Sequence, residues 1–153
     1  MQSERRLLEH RIKRLIQLVP SIQDDELRAE ITKHLCVLAS GLVEATCRDV
    51  LKRYAARRCS PEIVRVVEAH VGGFQNLKVG KIVELLSSFD PIKASEWRAC
   101  ISEEAAEALD SIVSNRHQIA HGRSIGLSYS VFTRYFADAS PALADIERFF
   151  PSY

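Results

Sequence analysis

The longest helical pattern in the sequence is the feature that most limits its fold. From Asp24 to Arg58 the chain contains no proline, and apolar residues recur at steps of three and four positions. A helix over this segment would extend about 50 Å at a rise of about 1.5 Å per residue. Its apolar residues form two adjacent stripes, one of Ile31, Leu35, Leu38 and Leu42 and one of Cys36, Val43, Cys47, Val50 and Tyr54. Wide apolar stripes of this kind suit burial within the chain and a dimer interface equally well.

Shorter helical patterns occupy most of the remaining chain, and no segment alternates apolar and polar residues as a half-buried strand does. We predict helices before Pro20 and over residues 61–71, 81–89, 102–121, 128–136 and 141–150, with a loop over Phe74–Val79. A chain of 153 residues with 46% hydrophobic side chains is long enough for one well-packed core. The prediction is therefore an all-α bundle of about four to six helices, in one domain spanning residues 1–153.

The net charge of the chain conceals an uneven distribution. The total is +1, from 21 Lys and Arg against 20 Asp and Glu, which argues against a strongly cationic coat protein. Residues 1–60 nevertheless carry 12 basic and 8 acidic side chains, whereas residues 61–153 carry 9 basic and 12 acidic ones. An anionic partner is therefore expected to prefer the N-terminal part of the chain.

The cysteines and the apolar segments indicate the cellular compartment. No CxxC pair occurs, which excludes a zinc ribbon and a thioredoxin-like motif. The N-terminus lacks the apolar core of a signal peptide, and no stretch of 18 apolar residues is present. We therefore expect a cytoplasmic protein without a membrane span, and reduced thiols at Cys36, Cys47, Cys59 and Cys100.

The segment Ser114–Gly122 contains the side chains that are best suited to catalysis. On a helical wheel, Arg116 falls inside the apolar stripe of its helix, where a charged guanidinium is costly unless it is paired or used. His117 and His121 fall together on one flank of that stripe. The last turn of this helix is therefore expected to direct one permanent cation and two imidazoles toward a shared region.

This segment resembles the motif of the HEPN superfamily, small helical-bundle domains whose ribonuclease members carry an Arg, a polar residue and, a few positions later, a His. Arg116, His117 and His121, followed by Gly122, match that order. The region before it is especially similar to the RiboL-PSP-like HEPN families. The motif covers only about ten residues, and the compatible all-helical pattern covers most of the chain.

The resemblance implies a metal-independent endoribonuclease that needs no cofactor and acts as a homodimer, with the motifs of two chains facing each other. The 2′-OH of RNA would attack the adjacent phosphate, with His121 as general base or acid, since an imidazole can take up or release a proton under neutral conditions. Arg116 would bind the scissile phosphate, and His117 would orient His121 or contact phosphate. By family analogy the setting would be a toxin or defence system, with an antitoxin such as a nucleotidyltransferase-fold protein as partner.

Two further groups of residues are candidates for supporting roles. Some HEPN proteins hold the motif Arg with an acidic residue on a neighbouring helix, and Glu44 is the candidate for that role here. A basic run in the long helix could follow an RNA backbone; its members are Arg48, Lys52, Arg53 and Arg57, with Arg58 beyond them.

Other interpretations of the same residues stay open at this point. His117 and His121 have the i, i+4 spacing of two zinc ligands on one helix face, although no third ligand is evident. Arg116 could pair with a buried carboxylate while His121 caps the helix. Glu44 and the basic run could be solvated surface groups, and Trp97 could stack a base or belong to the core. A non-catalytic HEPN module that binds nucleotides or a protein partner is the main alternative function, and a structural helical dimer is another.

Overall fold

A computed structural model describes residues 3–123 and 125–151 of the chain. This part of the chain contains seven α-helices and one short 3₁₀ turn, and no strand. The helices are α1 (Glu4–Leu18), α2 (Asp25–Ala56), α3 (Pro61–Val71), α4 (Val79–Ser87), α5 (Pro91–Cys100), α6 (Glu103–Ala120) and α7 (Tyr129–Phe149), with the 3₁₀ turn Val19–Ser21 between the first two. The predicted all-α class is confirmed.

Helix α2 lies at the centre of the bundle and contacts α1, α3, α6 and α7. It begins at the N-cap Asp24, whose carboxylate accepts a hydrogen bond from the backbone N of Leu27 at 2.8 Å. Buried side chains on several of its faces, rather than on one stripe, explain how four other helices can pack around it. Together they join a hydrophobic cluster to which all seven helices contribute, and whose largest fully buried members are Trp97, Phe132 and Phe150.

Ion pairs between helices tie the ends of α1, α2 and α7 together. Glu147 accepts from Arg5 at 2.9 Å and from Arg53 at 2.9 Å, so one α7 carboxylate connects two other helices. Arg48 pairs with Glu4 at 2.9 Å across the α1–α2 contact. Ion pairs that stay partly in contact with solvent, as these do, contribute at most about 1 kcal/mol each, so the hydrophobic cluster accounts for most of the stability.

Helix α5 was missed by the sequence analysis, which treated Asp90-Pro91 only as the end of the preceding helix. In the structure the same dipeptide also begins the next helix. The Asp90 carboxylate accepts from the backbone N of Lys93 at 3.1 Å, and Pro91 occupies the first helical position, where its missing N–H costs nothing. The described residues form seven α-helices, one more than the upper end of the predicted range of about four to six.

The C-terminal part was predicted as two short helices, and this was wrong, because α7 runs without interruption through Pro141. Pro141 is exposed, while its neighbours Ala139, Ala142 and Leu143 are buried in the core. The packing of this inner face outweighs the one backbone hydrogen bond that proline cannot make.

Candidate active site

The end of α6 is defined by a glycine-based cap. Gly122 has φ of +67°, in the left-handed region that glycine adopts without strain. Its backbone N donates to the carbonyl of Ile119 at 3.0 Å, and that of Arg123 donates to the carbonyl of Gln118 at 3.0 Å. These two bonds are those of a Schellman motif, which fixes the C-cap residue His121 at a defined position.

The two motif imidazoles lie against each other at this helix end. The ring centroids of His117 and His121 are 4.4 Å apart, with an interplanar angle of 63°. The backbone N of His121 also donates to the carbonyl of His117 at 3.2 Å. Both side chains are exposed, so a substrate or a second protein chain can reach them. The structure thus brings together the two histidines that the sequence analysis placed on one flank.

Arg116 is half-buried at the edge of the core. Leu109, Ile112 and Val113 of the same stripe are almost fully buried, but Val113 is the last buried residue of α6 and lies about two turns before the end of the helix. The guanidinium therefore leaves the core and reaches a loop, where its Nη1 donates to Oδ1 of Asn76 at 3.4 Å. Among the described residues no carboxylate lies within 4.0 Å of it.

Asn76 connects Arg116 to the residue that was expected to hold it. The backbone N of Asn76 donates to Oε1 of Glu44 on α2 at 3.1 Å, while its side chain accepts from Arg116. Glu44 does not pair with Arg116 directly, which corrects the expected contact. Its carboxylate instead positions the loop that carries the Arg116 acceptor.

Sequence reasoning did not single out Asn76, although the loop over 74–79 was predicted. Asn76 has φ of +54°, and asparagine is one of the few residues other than glycine that adopt this region readily. An Asn within a predicted loop was therefore the available signal. The loop is also anchored by Leu77, which is 4% exposed, and by the backbone N of Val79, which donates to Oδ1 of Asp110 on α6 at 2.8 Å.

A pocket of about 320 Å³ opens between this loop and α6. Val113 forms its apolar wall, and the other lining residues are polar: Asn76, Lys78, Ser114, His117 and Gln118. His117 therefore belongs both to the imidazole pair and to this pocket. The motif residues lie beside a concave surface with several hydrogen-bonding groups.

The basic run of α2 is partly engaged in ion pairs. Arg48 pairs with Glu4, and Arg53 pairs with Glu147 at 2.9 Å and donates through Nε to the carbonyl of Asp49. An RNA phosphate would have to displace a carboxylate at each of these two positions. Lys52 and Arg57 form no ion pair within the part of the chain that the structure describes.

The position of Trp97 decides one of the alternatives that the sequence left open. Trp97 is fully buried, and its Nε1 donates to the carbonyl of Ala142 at 2.9 Å, so it belongs to the core and cannot stack a base. No third His, Cys, Asp or Glu joins His117 and His121 in a group suited to a metal ion, as judged over the described residues.

Comparison with known families agrees with the all-α architecture. Within residues 3–123 and 125–151, none of the helices combines the length and apolarity required to cross a membrane. No match was found among curated proteins or among solved structures. The family model RiboL-PSP-HEPN matches residues 2–150, nearly the whole length of the sequence. The chain therefore belongs to the RiboL-PSP-HEPN family.

Proposed function

We propose that this protein is a metal-independent endoribonuclease whose active site contains Arg116, His117 and His121. The observation that carries the proposal is the end of α6, where a half-buried guanidinium held by Asn76 lies one residue before a pair of exposed, adjacent imidazoles. Membership of the RiboL-PSP-HEPN family supports an RNA-directed or nucleotide-directed role.

These side chains suit RNA cleavage through the 2′-OH. In this reaction the 2′ oxygen forms a bond to phosphorus while the bond to the 5′ oxygen breaks, which leaves a 2′,3′-cyclic phosphate and a 5′-OH end. One imidazole removes the 2′-OH proton, and an imidazolium gives a proton to the departing 5′ oxygen. Arg116 neutralises the charge that develops on the non-bridging oxygens. DNA lacks the attacking hydroxyl and would not be cleaved.

We further propose that the active unit is a homodimer. His117 and His121 are exposed at the helix end, so two copies can meet there and present two imidazole pairs to one phosphate. This arrangement would supply a separate general acid and general base, each from a different chain. It would also enclose the substrate in a cleft that one exposed helix end does not form.

The test is cleavage of RNA by purified protein in EDTA. We expect wild-type protein to produce cyclic-phosphate ends, and Arg116→Ala or His121→Ala to abolish cleavage while the protein stays folded. Arg65→Ala and His34→Ala, at exposed positions outside the motif, serve as matched controls that should keep full activity. Full activity in both motif variants would overturn the site, and activity lost only with chelator would favour a metal site.

The same experiment separates catalysis from the main alternative, a HEPN module that only binds nucleotides or a partner protein. Binding of RNA or nucleotide without cleavage by wild-type protein would favour that alternative. For the biological role, we propose a cytoplasmic toxin or defence component restrained by an antitoxin, such as a nucleotidyltransferase-fold protein. Expression should then arrest growth, and His121→Ala should remove the arrest.

A further inference from the structure

The pocket between α6 and the loop that precedes α4 is lined mainly by side chains that can donate hydrogen bonds. Two of its lining residues are amides, Asn76 and Gln118. The amide oxygen of Asn76 accepts from Arg116 at 3.4 Å, and that of Gln118 accepts from Arg123 at 3.0 Å. With both oxygens engaged by guanidinium groups, the remaining amide group of each residue is an NH₂ donor.

Each of the other polar side chains of the pocket carries at least one donor, including an N–H of the His117 ring. Lys78 carries an ammonium group with three donors, and Ser114 carries a hydroxyl that can donate. Neither side chain has a hydrogen-bonding or ionic partner within residues 3–123 and 125–151. Among the described residues, those that line the pocket include no carboxylate.

A pocket of this composition suits a ligand that only accepts hydrogen bonds and carries negative charge. Phosphate oxygens meet both conditions, and Arg116 and Arg123 add positive charge to that of Lys78 around the pocket. A nucleobase edge presents donors as well as acceptors, so its donors would face other donors here. The chemistry therefore favours phosphate over a base.

We propose that this pocket binds a phosphate of the RNA backbone next to the scissile one, with Lys78, Ser114 and the two amide NH₂ groups as its ligands. The proposal rests on the proposed ribonuclease function, because His117 lines the pocket and also belongs to the imidazole pair. A flanking phosphate held here would set the position of the scissile phosphate relative to His121. Lys78 is then a substrate-binding residue outside the Arg–His motif.

The test measures binding of a 2′-O-methyl RNA oligonucleotide, which cannot be cleaved because its attacking hydroxyl is blocked. Lys78→Ala should weaken binding about tenfold and make the slope of log affinity against log salt shallower by about 0.7, the value for one phosphate of a single strand. Lys81→Ala is the matched control. Lys81 is an exposed lysine in the first turn of α4, outside this pocket, and its loss should leave the slope unchanged.

A second variant tests the pocket without removing a lysine. Ser114→Asp places a carboxylate among the donors and should abolish binding at the same salt concentration, whereas Ser114→Ala should retain the wild-type salt slope. Equal slopes for Lys78→Ala and Lys81→Ala, or wild-type binding by Ser114→Asp, would overturn the proposal. Circular dichroism and thermal unfolding confirm that each variant is folded.

Binding of a free nucleotide, measured in the same way, shows whether the phosphate in the pocket comes from an RNA backbone. Adenosine 5′-monophosphate should bind far more weakly than the oligonucleotide, because it offers one phosphate and no neighbouring contacts. If it binds as tightly and Lys78→Ala weakens it, the pocket serves a free nucleotide and the assignment to RNA backbone fails. None of these measurements requires cleavage, so failure of the catalytic proposal would appear separately, as retained activity in Arg116→Ala and His121→Ala.

Discussion

The Nη1 atom of Arg116 lies 3.4 Å from the side-chain oxygen of Asn76, and this contact joins the last turn of α6 to the loop between α3 and α4. The loop is in turn joined to α2, because the backbone N of Asn76 donates to Glu44. A motif that is local in sequence therefore depends on two distant segments for the position of its arginine.

Removing the Asn76 side chain should lower activity without unfolding the protein. Asn76→Gly keeps the positive φ but deletes the acceptor for Arg116. Loss of one partly exposed hydrogen bond to a charged group is expected to cost about 1 kcal/mol, or roughly fivefold in kcat/KM for RNA. Asn76→Asp retains an acceptor oxygen and is compared on a dinucleotide, whose only phosphate is the scissile one, so that the new carboxylate faces no flanking phosphate in the pocket. Equal losses in both variants would contradict a role through Arg116.

Gly122→Ala should destabilise the end of α6 and displace His121. A left-handed conformation costs a residue with a Cβ about 1 kcal/mol, and φ at this position is +67°. Gly126→Ala is the control, since a Cβ there meets no atom of the described residues within 4 Å and its φ lies outside the left-handed range. Urea unfolding should show lower stability, and RNA cleavage lower activity, for Gly122→Ala but not for Gly126→Ala. Gly122→Asn should recover part of both losses.

Trp97→Phe should destabilise the core and leave RNA binding unchanged. The indole Nε1 donates to the carbonyl of Ala142 at 2.9 Å, and its removal leaves a buried acceptor without this partner. Such a loss costs about 1–3 kcal/mol, which urea titration followed by circular dichroism can resolve. Weaker RNA binding at unchanged stability would instead indicate a stacking role for Trp97.

The cysteines should divide into two reactive and two protected thiols. Burial raises the pKa of Cys36 and of Cys47 from 9.0 to about 12, and the neighbouring Glu44 charge adds to the effect at Cys47. Cys59 and Cys100 are exposed. Iodoacetamide at pH 8 should therefore modify only the exposed pair in native protein and all four thiols in denaturant. Mass spectrometry of the modified peptides gives the answer.

The same pKa shifts predict alkaline destabilisation. A thiol whose pKa is raised by folding stabilises the folded state, and this contribution to the free energy of unfolding is complete below the ordinary thiol pKa of 9.0. The contribution is lost as the pH rises toward the folded-state pKa of about 12. Cys36→Ala removes a buried side chain and should lower the free energy of unfolding at neutral pH. Because it also removes the titrating thiol, its free energy of unfolding should fall less steeply than that of wild type above about pH 9. If the free energies of unfolding of wild type and Cys36→Ala changed in parallel with pH, the raised pKa of Cys36 would be contradicted.

Local sequence signals determined the all-α class, most helix boundaries and the Arg–His motif of this protein. Helical periodicity, N-caps and glycine stops depend on nearby residues, so Ser102, Pro61 and Gly122 marked the limits of their helices without any knowledge of packing. The one continuous α7 was missed for the same reason, since the burial of Leu143 and its neighbours outweighs Pro141 only in the assembled core.

Tertiary structure alone decided which distant groups meet Arg116. Glu44 and Asn76 are 32 residues apart in the chain, and Asn76 and Arg116 are 40 apart, so no periodicity or spacing could relate them. Packing of α2, α6 and the loop before α4 brought them together, and packing at the α1–α2–α7 contact paired Arg48 and Arg53 with carboxylates. Ion pairs and hydrogen bonds require atoms within about 4 Å of each other, a condition that only the folded chain establishes.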